Sequence, residues 1–368
     1  MVTPMPTLLL STCGTSLLTN LAGEQRGLIT RHANARTPEE VPAADRAILE
    51  GFIATAAERL LTADNAGKER LSAELNGLLR YYGGQLGRSR DTHWLIATDT
   101  WLGTATAEAI AAVLEAAGQV VTIRRIQDLR TGNLAEFRSA MAELARLCAQ
   151  EVEGLSQGGW RVVFNLTGGF KSVQGFMQAL GMLYADESVY VFEGTTELLR
   201  LPRLPISLDA VALAREHQAV LRRLAAGLPV AAAQARDLPD ALLMEDEGQV
   251  TLSVWGDLVW AQAGPALLAE RLWPSVDEKL RFGPGLEASV RGCSADELHH
   301  INERLGDLAR HLHQTTYNPD RLNFKKLQRP QGTWTHEGNA WAMGAARRLF
   351  GHYEGGVFVV DALGDGLH

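Results

Sequence analysis

Short apolar runs alternate with amphipathic stretches over roughly the first 200 residues of the chain. The runs TLLLST, HWLIAT, VVTIRRI, VVFN and SVYVFEG have the length and the β-branched content of buried strands, and helical periodicity separates them. Strands that alternate with helices are typical of a parallel sheet with helices on both faces. This part of the chain is therefore predicted to be an α/β domain with a doubly wound sheet.

Three of the predicted strands end in small polar residues and glycines. The first is followed by STCGTS, the second by Thr98, Asp99 and Thr100, and the third by LTGGFKS. Gly168 and Gly169 allow a tight turn and the close approach of a ligand, and the helix that follows offers free amide donors to an anion. Because ligands bind at the carboxyl ends of parallel strands, we expect the three loops to line one polar pocket.

The loop around Lys171 differs from the P-loop of nucleotide hydrolases. That motif requires a glycine four residues before a contiguous Gly-Lys pair, whereas Phe170 separates Gly169 from Lys171 here. A nucleotide hydrolase of that class is therefore not expected. A plain glycine turn followed by a solvated lysine remains the alternative to a binding loop.

The loops STCGTSLLTN and NLTGGFKS resemble the two signature loops of CRISPR-associated Rossmann-fold (CARF) sensor domains, over residues 5 to about 200. The resemblance implies a Rossmann-like fold that binds a cyclic oligoadenylate. It also implies a homodimer, because a ring of even size can match a twofold axis. Amides, hydroxyls and a lysine suit phosphates and riboses. With the second loop included, the expected ligand-binding residues are Ser11, Thr12, Gly14, Thr15, Ser16, Thr98, Asp99, Asn165, Thr167, Gly168, Gly169, Lys171 and Ser172.

Composition favours a soluble effector of the cytoplasm. The chain has 368 residues, 46% hydrophobic and 21% charged, which is enough material for two or three domains. No apolar stretch reaches membrane-spanning length, and the basic start of a signal peptide is not found. Cys13, Cys148 and Cys293 lack metal-ligand spacing, so reduced thiols and no metal site are expected. Because the net charge is −8, the molecule as a whole does not attract nucleic acid. Any RNA contact must come from a local basic patch or be assisted by a protein partner.

Residues 205–275 are predicted to form a connector after the proline-containing segment LPRLPISLDA. Helical stretches lead to an acidic turn, EDEG, between the strand-like runs LLM and QVTLSVWGDLVWAQ. This arrangement resembles a winged helix-turn-helix. The expected wing carries Glu245, Asp246 and Glu247 and no basic residue, which disfavours contact with DNA phosphates. A spacer or a protein-docking module is therefore preferred.

Residues 276–368 are predicted to form a small α+β domain. Ser294 and Glu297 have capping-box spacing at the start of ADELHHINERLGDLARHLHQ. Strand-like runs follow at RLNFKKLQR, NAWAMGAARRLFGHYE and GVFVVDALG, with Gly355 and Gly356 in a hairpin turn. From residue 321 to residue 352 there are six lysines and arginines against one acidic residue, Glu337. This is a local basic patch in an otherwise acidic chain.

This domain resembles the RelE/YoeB toxins, which are ribosome-dependent mRNA interferases, in its helices, its KKL strand, RRLF before a Gly-Gly turn, VFVV and a terminal histidine. The resemblance places Arg348 at the arginine that contacts the scissile phosphate, His368 at the C-terminal histidine, and Lys325 and Lys326 on the basic strand. RNA cleavage by its own 2′-hydroxyl needs a base, an acid and cations. His368 could serve as acid or base. Arg347, Arg348 and the lysines would supply the positive field without a metal.

Two other functions stay open. Arg347 and His352 fit the R-x4-H spacing of HEPN ribonucleases, which are all-helical and also occur fused to CARF sensors. The glycines around this pair disfavour a helix. A CARF transcription regulator would instead use the winged helix, for which Arg222, Arg223 and Arg236 are the basic residues at hand.

Together the segments predict an endoribonuclease that is activated by a cyclic oligoadenylate and cleaves mRNA in the ribosomal A site during CRISPR antiviral defence. CARF–RelE fusion effectors share this order of domains. No cofactor is expected beyond the activator, for which cyclic tetra-adenylate is the first choice. The expected partners are a second copy of the chain, mRNA and the ribosome. The expected docking surface for a ribosomal stalk protein, with a connector core as the alternative, comprises Leu242, Leu243, Trp255, Trp260 and Trp273.

Overall fold

The first five strands of the chain run parallel in one sheet. In the computed structural model its strands are β1 (Thr7–Thr12), β2 (Thr92–Ala97), β3 (Val120–Arg125), β4 (Arg161–Asn165), β5 (Glu187–Val191) and β6 (Leu198–Pro202). Their order across the sheet is β3-β2-β1-β4-β5-β6, and β6 is antiparallel to β5. A mixed α/β arrangement with a mostly parallel sheet is compatible with a Rossmann-like domain. The α/β prediction is confirmed for this part of the chain.

β1 lies where the order of the strands reverses. It pairs with β2 on one side and with β4 on the other, and Ser11 is aligned with Asn165. The loop after β1 and the glycine loop after β4 therefore leave the sheet side by side, at the position where doubly wound sheets bind ligands. The leucines of β1, Leu8, Leu9 and Leu10, have no exposed surface because both faces of this strand are covered.

Helices connect the parallel strands. They are α1 (Ser16–Leu21), α2 (Arg26–Arg31), α3 (Ala43–Thr62), α4 (Asn65–Leu71), α5 (Ala73–Tyr81), α6 (Trp101–Ala116), α7 (Leu134–Leu147), α8 (Glu153–Gln157) and α9 (Lys171–Tyr184). α1 follows β1, α6 follows β2 and α9 follows β4. Each of the three candidate loops thus lies between a strand and the helix after it.

The chain divides into two units, Met1–Leu208 and Asp209–His368. The structure describes residues 5–86, 91–130, 132–192, 196–246, 248–341 and 346–366. The division after Leu208 lies close to the expected boundary at 204/205. The expected boundary at 275/276 falls inside the second unit.

The described residues of the second unit form two sheets. Its elements are α10 (Ala210–Glu216), α11 (Gln218–Ala225), β7 (Val230–Ala231), β8 (Leu243–Asp246), β9 (Gln249–Leu252), α12 (Val254–Ala269), β10 (Leu280–Phe282), α13 (Pro284–Ser289), α14 (Ala295–His313), β11 (Lys325–Gln331), β12 (Trp334–Trp341), β13 (Arg347–Glu354) and β14 (Val357–Asp365). The small sheet has the order β7-β9-β8, and the large sheet has the order β10-β14-β13-β12-β11. In the large sheet β10 is parallel to β14, and the other neighbours are antiparallel.

Several local predictions for this unit are confirmed. Ser294 and Glu297 form the capping box at the start of α14. Gly355 and Gly356 lie between β13 and β14 with φ of 59° and 86°, in the left-handed region that favours glycine. In the expected acidic turn, Gly248 precedes β9 with φ of 76°, whereas Glu245 and Asp246 belong to β8 and Glu247 lies outside the described residues. The winged-helix and RelE-like folds themselves stay predictions.

Two expected strands are wrong in extent. The second strand of the connector ends at Leu252, because the Ser253 hydroxyl accepts hydrogen bonds from the Trp255 and Gly256 amides and caps α12. The run NAWAMGAARRLFGHYE is divided between β12 and β13, and residues 342–345 lie outside the described residues. Within the described ranges, no helix has the length and apolarity needed to cross a bilayer.

Candidate functional site

The loops after β1 and β4 are joined directly. The Thr12 hydroxyl donates a 2.6 Å hydrogen bond to the carbonyl oxygen of Gly168. A Cβ atom at Gly14 would lie 3.2 Å from the Cα atom of Gly169, so the two backbones approach each other as closely as glycines permit. The structure therefore brings together two of the three loops that the sequence predicts to share a pocket.

Gly169 requires the conformational freedom of glycine. Its φ of 95° lies in the left-handed region, and a Cβ atom there would lie 3.0 Å from Cβ of Thr12. A side chain at this position would be strained by the backbone and crowded by the opposite loop.

Asn165 organises the end of β4. Its side chain has no exposed surface. Its amide nitrogen donates to the Ser11 hydroxyl at 3.2 Å and to the Glu74 carbonyl oxygen at 3.0 Å. The Asn165 side-chain oxygen accepts hydrogen bonds from the Thr167 backbone amide at 3.3 Å and from the Thr167 hydroxyl at 2.9 Å. With both ends of its side chain committed to the protein, Asn165 shapes the loop from inside.

Glu74 is a buried carboxylate that the sequence analysis missed. It lies at the start of α5 with no exposed surface. Oε1 accepts from the Gly14 amide at 3.0 Å, and Oε2 accepts from the hydroxyls of Ser16 at 2.6 Å and Ser72 at 2.8 Å. Burial raises the pKa of the neighbouring Cys13 thiol, and the charge of Glu74 raises it further. No local motif points to Glu74, because its partners in the first loop are distant in sequence.

Lys171 and Ser172 begin α9 and are exposed. Lys171 and Thr167 also line a cleft of about 750 Å³, together with Tyr190 and Phe192. The Gln174 side chain, one turn into the helix, donates to the carbonyl oxygens of Leu166 and Gly168. This edge of the sheet thus offers one cation and two aromatic rings beside the glycine loop. Thr15 and Ser16 are half-buried at the start of α1.

Thr98 and Asp99 follow β2, on the other side of β1. The Thr98 hydroxyl lies 2.9 Å from that of Thr100, which caps α6. The Asp99 carboxylate accepts from Nε of Arg125 at 2.9 Å and from the Asp128 amide at 3.1 Å, and it lies 3.4 Å from Nε of Arg36. The Thr98 and Asp99 side chains are thus bonded to other residues of the protein. The part of this loop in a ligand pocket stays a prediction.

In the second unit, Lys325 and Arg348 converge on Glu337. Nη1 of Arg348 donates to Oε1 of Glu337, and Nζ of Lys325 lies 3.5 Å from the same oxygen. Glu337 is 6% exposed. Within the described residues, its other oxygen, Oε2, is buried without a hydrogen-bond partner. The sequence analysis counted Glu337 only as a charge, although antiparallel pairing places it directly opposite Lys325.

The other expected nuclease residues lie around this cluster. Lys326 is exposed and pairs with His336 across β11 and β12. Burial lowers the pKa of His336, and the charge of Lys326 lowers it further. Nη1 of Arg347 lies 3.0 Å from Oδ1 of Asp365. His368 lies outside the described residues.

The segment that fits the HEPN spacing is a strand. Arg347 and His352 both belong to β13, which pairs with β12 and β14. Nδ1 of His352 lies 2.7 Å from Oδ2 of Asp361. The shared helix face that HEPN chemistry needs is therefore not present in this segment.

The connector residues are divided between core and surface. Leu242 and Trp273 are buried, and the Trp273 ring nitrogen donates to the Leu267 carbonyl oxygen at 2.7 Å. Among the basic residues, Nη2 of Arg222 donates to the Pro274 carbonyl oxygen, and Arg223 pairs with Asp277 at 2.7 Å. Leu243, Trp255 and Trp260 are half-buried.

One group of described residues has the composition of a metal site. His299, His300 and Glu303 of α14 bring one possible ligand atom each within 4.8 Å of one another. Glu303 also pairs with Arg304 at 2.9 Å and with Arg321 at 3.6 Å. These two cations compete with a metal ion for the carboxylate.

Comparison with known proteins gives one family. No curated protein matches the chain. One stretch of the chain, which begins in α4 and ends just after β6, matches a family of known proteins. This stretch contains Glu74 and the glycine loop but neither the loop after β1 nor the second unit. Residues 69–204 match the family described as CRISPR-associated protein (Cas_APE2256), which supports a CRISPR-associated protein.

Proposed function

We propose that the protein is a ribosome-dependent endoribonuclease that a cyclic oligoadenylate activates and that arrests translation in antiviral defence. The observation that carries this proposal is the junction of the two loops after β1 and β4, in a chain that matches a CRISPR-associated family. The first unit is the sensor in this proposal, and the second unit is the nuclease.

The sensor proposal is supported by the chemistry of the joined loops. They present glycine backbone, hydroxyl groups and the exposed Lys171 at the switch point of a parallel sheet. Such groups suit phosphodiesters and riboses. The cleft beside Lys171 adds Tyr190 and Phe192, whose rings can stack on a base. Two copies of the chain would supply these groups twice to a ring with twofold symmetry.

The nuclease proposal is supported by the cations on β11 and β13. In the proposed reaction the 2′-oxygen attacks the adjacent phosphorus and expels the 5′-oxygen, which leaves a 2′,3′-cyclic phosphate and a 5′-hydroxyl. Arg348 and Lys325 stabilise the charge of the phosphorane. Glu337 holds these two side chains beside each other and acts as a positioning residue. His368 remains the proposed acid or base.

The proposed dependence on the ribosome rests on the weak attraction of the cluster of Lys325, Arg348 and Glu337 for free RNA. Glu337 neutralises one of the two converging cations, and the chain carries a net charge of −8, so free RNA is attracted weakly. A ribosomal A site that fixes the mRNA would supply the geometry that this surface lacks. The half-buried Leu243, Trp255 and Trp260 are the part of the connector proposed to contact a ribosomal stalk protein.

Binding and cleavage assays test the two halves separately. Calorimetry with cyclic tetra-adenylate, cyclic hexa-adenylate and linear tetra-adenylate should show binding of one ring and weaker binding of the linear form. If no ring binds, the sensor half is wrong. Cleavage with the activator present should occur on intact ribosomes and should decrease on ribosomes stripped of stalk proteins. Equal rates on intact and stripped ribosomes would exclude the stalk as a partner.

A further inference from the structure

A carboxylate of the protein itself occupies two donors of the first loop. Oε1 of Glu74 accepts from the Gly14 amide at 3.0 Å, and Oε2 accepts from the Ser16 hydroxyl at 2.6 Å. Both donors belong to the set that the proposed function assigns to the phosphates of the ring. The loop therefore already holds an anion, in the manner expected for charge-assisted hydrogen bonds.

We propose that Glu74 is an internal competitor of the ligand, so that a phosphate reaches Gly14 and Ser16 only by displacing this carboxylate. The inference rests on the proposed sensor function. A phosphate at the Gly14 amide would lie within a few ångströms of Oε1, since both accept from one hydrogen. Two like charges at such a distance repel each other strongly where water is excluded.

The contacts of Glu74 make this displacement feasible. A buried carboxylate needs partners, and the partners of Glu74 are the neutral donors of Gly14, Ser16 and Ser72. Among the described residues, no lysine or arginine forms an ion pair with Glu74. A phosphate that replaces the carboxylate at these neutral donors therefore does not leave a buried cation unpaired.

Glu74 also touches the second loop. A Cβ atom at Gly168 would clash with the Glu74 carboxylate, so the glycine loop packs directly against it. The same carboxylate thus contacts both loops of the candidate pocket. A movement of Glu74 would change the first loop and the glycine loop together.

The start of α5 would respond to that movement. The Ser72 hydroxyl donates to Glu74 at 2.8 Å and accepts from the Leu75 amide at 3.2 Å, which caps the helix. The Ser16 hydroxyl accepts from the Ala73 amide at 3.1 Å. When a ligand takes Ser16 and expels Glu74, the first turn of α5 loses the hydrogen bonds that Glu74 accepts from Ser16 and Ser72, which hold it in place. Binding in the first loop is thereby converted into loosening of α5.

The test compares the binding of cyclic tetra-adenylate to the wild type and to Glu74→Gln. Glutamine has nearly the same size and no charge, and the hydroxyls of Ser16 and Ser72 can turn to pair with it. We expect Glu74→Gln to bind at least tenfold more tightly than the wild type. The control is Glu58→Gln on the exposed face of α3, which makes the same change of charge and should leave the affinity unchanged.

A second measurement uses the wild type alone and stands even if Glu74→Gln does not fold. Hydrogen exchange of the Leu75 amide and the first turn of α5 should become faster when cyclic tetra-adenylate binds. If the wild type binds but exchange there is unchanged or slower, or if a folded Glu74→Gln binds equally or more weakly, the competitor role is wrong and the sensor function stands. If neither protein binds, both proposals fall.

Discussion

The hydroxyl of Thr12 donates a 2.6 Å hydrogen bond to the carbonyl oxygen of Gly168, 156 positions along the chain. This bond of the protein itself fixes the loop after β1 to the loop after β4. A pocket whose walls are already joined loses less conformational freedom when a ligand binds.

Gly169→Ala should lower the free energy of unfolding by about 1–2 kcal/mol, because Gly169 has a left-handed φ and faces Thr12 at close range. The matched control is Gly51→Ala in α3, where a Cβ atom meets nothing within 4 Å. That change should raise the free energy of unfolding by up to about 1 kcal/mol. Urea unfolding measures both, and equal effects in the two variants would argue against the close junction.

Lys171→Ala should weaken the binding of cyclic tetra-adenylate more than tenfold. A charge-assisted phosphate contact contributes about 1.5–3 kcal/mol, and Lys171 is exposed at the start of α9. Calorimetry provides the measurement, with Lys279→Ala, an exposed lysine of the second unit, as the control. An unchanged affinity in folded Lys171→Ala would remove this residue from the pocket.

The alternation of strands and helices in the first unit, the glycine turns and the capping box of α14 could be predicted because their signals are local. Ser294 and Glu297 are three residues apart, and Gly355 and Gly356 carry their own backbone preference. The extent of β9 could not be predicted, because Ser253 turns a run of β-branched and aromatic residues into a helix. Propensity is a weak guide when a cap decides the conformation.

Two of the buried carboxylates, Glu74 and Glu337, could not be assigned to a site from the sequence alone. Glu74 meets the Gly14 amide across 60 positions of the chain, and Glu337 meets Arg348 on a neighbouring strand. Neither residue belongs to a sequence motif. The residues around Glu74 were nevertheless predicted as ligand loops, and those around Glu337 as a basic patch. Such long-range contacts follow from strand order and register, which local patterns do not specify.

Acid should destabilise the first unit through His93. This residue of β2 has no exposed surface, and burial lowers its pKa to about 4, although Asp91 acts in the opposite direction. As the pH falls, the His93 imidazole gains a proton near pH 6.5 in the unfolded chain but only near pH 4 in the folded chain. The contribution of neutral His93 to the free energy of unfolding is therefore complete above pH 6.5. Up to about 3 kcal/mol of it is lost as the pH falls to about 4. His93→Gln should show a smaller loss of unfolding free energy between pH 7 and pH 4.5 than the wild type, and identical pH slopes would contradict this assignment.

Arg348→Ala should lower the rate of mRNA cleavage at least 100-fold, on the order of the loss of one preorganised donor to the transition state. His352→Ala should leave most of the rate, since His352 contacts Asp361 rather than the Glu337 cluster. Rates on ribosome-bound mRNA with activator provide the comparison. The HEPN alternative requires the opposite pattern, with activity lost in both Arg347→Ala and His352→Ala.

A sensor and a nuclease in one chain make the rate of mRNA cleavage depend on the activator. Purified wild-type protein is incubated with mRNA held in the ribosomal A site, with and without cyclic tetra-adenylate, and the single-turnover cleavage rate is measured. We predict cleavage with the activator, little cleavage without it, and little cleavage of free mRNA under either condition. The same rate with and without a ring that calorimetry shows to be bound would contradict control of the nuclease by the sensor.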